Sequence, residues 1–142
     1  MSPSVLLTIH LFAVAFWLGV VGVEYLLERG RAHSHQHGFK VARLHFQIDT
    51  CLEMPTFLVV LATGLALLEP QRMSGLYALK VAAGALAVLG NVLCVVPIVL
   101  RKRAAERQDL GAVIRYSRWV DRISATAIPA GLAAFALGWA LP

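Results

Sequence analysis

Four apolar runs decide what this chain can fold into. Residues 4–27, 44–68, 76–100 and 114–141 are each about 20 residues or longer, enough for a helix to cross a hydrocarbon core of roughly 30 Å. A backbone in lipid has no water to bond, so a run of that length must close its hydrogen bonds within itself. Charged residues make up only 15% of the 142, well below the roughly 25% of a soluble domain. The expectation is all-α: an integral membrane four-helix bundle, antiparallel up-down-up-down, forming one domain over residues 1–142. The first run lacks a basic leader and a small-residue cleavage site, so it is read as a retained span and not as a signal peptide.

The net charge of +5 is unevenly placed. Arg29, Arg31, Lys40 and Arg43 lie between runs one and two, and Arg101, Lys102, Arg103, Arg107 and Arg115 between runs three and four. Only Arg72 lies between runs two and three, and neither terminus carries Lys or Arg. Basic loops on alternate connections argue against nucleic-acid binding. They place the first and third connections in the cytoplasm and both termini on the non-cytoplasmic side, with the bacterial inner membrane as the expected location. The same loops can touch anionic lipid. Homo-oligomerisation stays open. Cys51 and Cys94 fall inside runs without a CxxC pair, and are read as buried free thiols.

Polar residues inside such runs carry the functional content. His45, Asp49 and Glu53 are four apart, so they share one helix face. Each ionisable group mid-membrane costs about 2.5–3.5 kcal/mol, against about 0.3–0.6 kcal/mol returned per Leu or Val. That face must therefore turn inward. In run one, His10, Trp17 and Glu24 are seven apart and form one stripe. An antiparallel second run brings Glu24 to the depth of His45 and Asp49. Arg118, Asp121 and Arg122 open run four and are expected to reach the same layer as structural ion pairs.

Depth then sorts two layers. The inner one holds Glu24, His45, Asp49 and Glu53. It suits either a structural charge network or a metal site, whose ligand types fit iron, manganese or zinc better than copper(I). The outer layer holds His10 and Lys80. It suits haem b, with the imidazole as axial ligand, Trp17 as a flat wall, and Lys80 as second ligand, propionate partner or proton donor; Lys80 can also simply snorkel outward. Asn91 lies deep and needs a hydrogen-bond partner, and Pro55 and Pro97 interrupt their helices. His33, His35 and His37 in the first loop read either as a metal-capturing cluster or as a polar turn, bracketed by Gly30 and Gly38 as breakers.

His10-x6-Trp17 resembles the opening motif of the HemJ-type protoporphyrinogen oxidases and of the copper-resistance D-type membrane proteins. Glu53-Met54-Pro55 followed by Gly64-Leu65-x-Leu67 is similar to the proline-then-glycine pattern of the HemJ-type second helix. Leu76-Tyr77-Ala78-Leu79-Lys80 resembles that family's aromatic-then-lysine motif, and Arg118-Trp119-Val120-Asp121-Arg122 stands where the family shows Arg-x-x-Asn-Glu. The resemblance implies a haem-binding membrane bundle that oxidises protoporphyrinogen to protoporphyrin, with His10 and Lys80 as catalytic residues. The chain departs from the pattern at Asn91, where the family has a histidine, at Asp121-Arg122, and at Val23-Glu24-Tyr25-Leu26-Leu27, where it is rich in Arg and Tyr. The His45/Asp49/Glu53 ladder lies outside the pattern. Three functions are therefore expected in turn. The first is a membrane haem- or metal-binding redox protein, an oxidoreductase if it is an enzyme. The second is a transition-metal binding or handling protein using the buried cluster. The third is a non-catalytic membrane subunit with a structural charge network.

Overall fold

The structure, a computed structural model, describes residues 2–141. Its helices are α1 (Pro3–Arg29), α2 (His35–Ile48), α3 (Met54–Ala66), α4 (Gly75–Glu106) and α5 (Leu110–Ala140). A π turn over Asp49–Glu53 joins α2 and α3 into one continuous rod. There are thus four rods and, among the described residues, no strand. All four rods are long and apolar enough to cross a membrane.

Local chemistry explains where the rods begin. The Ser2 hydroxyl accepts the Val5 N–H, and Pro3 occupies the first turn of α1. Ser34 caps α2 by accepting the His37 N–H at 3.1 Å, and Asp109 caps α5 by accepting the Ala112 N–H at 2.9 Å. The chain leaves α4 through Gln108 at φ 56, the left-handed geometry common just past a helix end. Two rods extend beyond the apolar runs. The second begins at His35, so Gly38 is buried inside a helix and breaks nothing, and α4 continues to Glu106. Both extensions are held by packing, because Ala42 sits with Ala104, Ala105, Ala112 and Val113 in one buried cluster.

Pairings run antiparallel. Along α1, His10 meets Thr63, Trp17 meets Glu53 and Glu24 faces His45. Along α4, Gly90 faces Ala127 while Arg101 reaches Ser117. The α4–α5 pair is the most extensive contact, and Gly90 permits it: a Cβ there would overlap Ala127. At the centre Trp17, Phe57, Ala87 and Ala130 pack together, and a Cβ on Gly131 would come 3.0 Å from the Trp17 ring.

Polarity is inverted relative to a soluble protein. Phe12 is 74% exposed and Trp139 73%, whereas Arg101 is 0% exposed and Glu24 6%. Water would favour the opposite arrangement. The expected burial of both thiols fails for Cys51, which is exposed on the outward side of the π turn; Cys94 is half-buried.

Candidate metal centre

The ladder turns inward, with His45, Asp49 and Glu53 all buried. In a uniform α-helix every fourth residue drifts by roughly 40°, since a turn takes 3.6 residues. The π turn absorbs that drift, because the wider turn brings each fourth residue back towards the same line. There the Met54 N–H bonds the Asp49 carbonyl five residues back, and Pro55, the next residue, has no N–H to donate. Such single π turns are frequent at functional sites.

His45 Nε2 lies 3.5 Å from Asp49 Oδ1 and 3.8 Å from Glu24 Oε1. One ligand atom from each of the three residues lies within 4.8 Å of the others. Glu24 Oε1 and Asp49 Oδ1 are buried and accept no hydrogen bond among the described residues. The other imidazole nitrogen is engaged, with His45 Nδ1 2.5 Å from Glu28 Oε1. The same Glu28 oxygen accepts from Arg101 Nη2 at 2.7 Å, while its Oε2 accepts from Arg31 Nη1 at 2.8 Å. A carboxylate that accepts the Nδ1–H hydrogen bond fixes the tautomer of a neutral ring and leaves the Nε2 lone pair facing Glu24 and Asp49. With that ring neutral and both carboxylates ionised, three acceptors converge, an arrangement that a cation or a shared proton resolves.

Glu53, expected in the same ligand set, stands beside this group. Its Oε1 accepts from Trp17 Nε1 at 2.9 Å and from Asn91 Nδ2 at 2.6 Å. Asn91 thus finds the partner its depth requires. A cavity of about 100 Å³ adjoins the group, bordered by Glu24, His45, Glu53, Asn91, Cys94 and Ser124.

The cations expected opposite the carboxylates are elsewhere. Arg118 and Arg122 are exposed on α5, whose inward positions are Ser117 and Val120. Asp121 points to Arg31, at 2.8 and 2.5 Å across two hydrogen bonds. The buried counter-cation is Arg101, held by Glu28 at 2.7 Å and by Ser117 at 3.3 Å. Two residues of the network, Glu28 and Arg101, were therefore missing from the expected site. Glu28 carries a readable signal, since it follows Glu24 by one helical turn. Arg101 is three residues past Ile98 on the buried face of α4.

The outer layer is smaller than expected. His10 Nδ1 lies 2.8 Å from Thr63 Oγ1. Lys80 Nζ sits 5.8 Å from the Tyr77 ring centroid. Trp17 is not there; its N–H is committed to Glu53 in the inner layer. In the turn before α2, the His33 and His37 rings meet edge to face at 5.8 Å, and His33, His35 and His37 are all exposed. His33 Nδ1 is bound to the Gly30 carbonyl at 2.6 Å.

Comparison with known proteins finds no match for this chain among family profiles, curated sequences or solved structures.

Proposed function

We propose that this chain is an integral membrane protein that binds one divalent transition-metal ion between Glu24, His45 and Asp49. One observation carries the reading: three ligand atoms converge in the interior while the two carboxylate oxygens among them have no hydrogen-bond partner among the described residues. Among the described residues one other buried side-chain atom, Arg101 Nε, also lacks a partner; buried polar groups are ordinarily matched, and a buried anion without a partner is costly. Charge points the same way. With all four carboxylates ionised and His45 in its neutral, ligand-ready form, Glu24, Glu28, Asp49 and Glu53 face Arg101 and Arg31, and Arg31 is shared with Asp121. At least two negative charges remain, which a divalent ion cancels. One imidazole and two carboxylates suit iron, manganese or zinc, and the Glu28–His45 hydrogen bond is the outer support such a ligand carries.

The inverted polarity supports insertion in a bilayer, and the basic connections at one end of the bundle support a cytoplasmic location for that end. The haem reading implied by the HemJ-type resemblance stands second. It rests on His10 and Lys80 alone, since Trp17 serves the inner layer. Elemental analysis of protein purified in detergent without a histidine tag tests the proposal. About one iron, manganese or zinc per chain is expected, and its loss in Asp49→Asn with the fold retained. Absence of stoichiometric metal in the wild type contradicts it and leaves a proton-bridged structural network.

A further inference from the structure

Metal sites that only brace a fold fill every position with protein; sites that do chemistry leave one to a small molecule. Three features bear on which kind this is. Glu24, His45 and Asp49 offer three donor atoms, one short of a tetrahedral set. The nearest further carboxylate, Glu53, has Oε1 tied by both the Trp17 indole and the Asn91 amide and contacts Asp49, so it supports the group from beside it and is not one of the three converging donors. The cavity of about 100 Å³ is bordered by two of the three ligand residues, Glu24 and His45. Its remaining wall is mostly apolar, from residues such as Ile98 and Val120, with polar groups from Glu53, Asn91, Cys94 and Ser124.

Size limits the occupant. At roughly 30 Å³ per water the space takes about three waters. It falls short of the roughly 300 Å³ at which pockets for organic ligands begin. A porphyrin ring does not fit, and nor does a substrate of many heavy atoms.

We infer that the metal keeps one coordination position open to this cavity, for a ligand of two or three heavy atoms. Water or hydroxide fills it at rest, and a small anion or a diatomic gas replaces it. This rests on the metal reading above. The position faces hydrogen-bonding groups on one side, where a bound oxygen or nitrogen atom meets the Glu53 carboxylate and the Asn91 amide, and a water-excluding wall on the other. The site is therefore built to bind and orient a small inorganic molecule inside the bundle.

Cobalt(II) and azide serve as probes. The tag-free protein in detergent is loaded with Co²⁺, and azide is titrated while the visible ligand-field bands are followed. A saturable spectral change is expected. In Cys94→Leu and in Ser124→Leu, whose added atoms enter the cavity, azide binding weakens about tenfold or more while Co²⁺ stoichiometry is unchanged. Cobalt that binds but ignores azide overturns the inference and leaves the metal reading standing, because protein then closes every position. Wild-type azide affinity in both cavity-filling variants also overturns it, by placing the open position elsewhere. A sulfur-to-cobalt charge-transfer band does the same, since Cys94 would then be a ligand. Failure to take up any Co²⁺ removes both readings together.

Discussion

The two polar layers of this bundle are satisfied in different ways. In the outer layer the His10–Thr63 pair is satisfied. Thr63 Oγ1 donates to the Val59 carbonyl at 2.6 Å and stands 2.8 Å from His10 Nδ1, so an imidazole N–H, a hydroxyl and a carbonyl form a complete chain. In the inner layer satisfaction is lopsided. Glu28 gathers three charged or polar partners, His45, Arg31 and Arg101, while Glu24 Oε1 and Asp49 Oδ1 accept no hydrogen bond among the described residues. Glu28 is surrounded by cationic and polar donors, whereas Glu24 and Asp49 meet mainly each other, Glu53 and the Nε2 side of His45. On the reading proposed above, the inner layer is a ligand site with a braced support, and the outer one a structural joint.

The sharpest way to break that contrast is to remove the brace. Arg101→Met leaves Glu28 in the interior with less compensation, and loss of one partner of a buried pair costs about 3–5 kcal/mol. Thermal unfolding in detergent is expected to show a large drop, partly restored in the double variant Arg101→Met/Glu28→Gln. A variant as stable as the wild type would show that Arg101 is not the counter-cation.

Glu28→Gln alone sharpens the comparison from the other side. The amide still accepts from Arg101 but no longer fixes the His45 tautomer by charge. Metal affinity, read by chelator competition, is expected to fall about 10–100-fold, and an unchanged affinity would detach Glu28 from the site. Disturbing the outer layer has a smaller and separate effect. Thr63→Val removes one hydrogen bond, worth about 0.5–1.5 kcal/mol, with metal content unaltered; a fall in metal content would join the two layers. Smallest of all, Arg118→Gln and Arg122→Gln are expected to leave both melting and metal content as they were, because both side chains face outward. A clear loss in either would return them to the carboxylate layer.

Much of this was legible from spacing. Residues four apart in run two and seven apart in run one predict inward stripes, and Glu24 does meet His45. The phase of a helix against its neighbours is a different matter. Arg118 and Arg122 sit at the right depth, but only packing of Ser117 and Val120 determines that they face out. Arg101 was hidden by the rule that explains its neighbours. A basic residue after an apolar run reads as a loop charge, and only the continuation of α4 to Glu106 shows it to be interior. The π turn had one signal, Pro55, which announces a missing donor without saying how the backbone will adjust. The remote resemblance led towards His10, Trp17 and Lys80, yet Trp17 belongs to the other layer because its indole finds its acceptor in Glu53.

The central claim is that Glu24, His45 and Asp49 converge on a metal ion. X-ray absorption at the edge of whichever metal co-purifies with the untagged protein tests it most directly. The account predicts a first shell of nitrogen and oxygen at about 2.0–2.2 Å, with the outer-shell scattering of one imidazole that disappears together with the metal in Asp49→Asn. A sulfur shell, a porphyrin pattern, or protein that is fully folded and free of metal would contradict it.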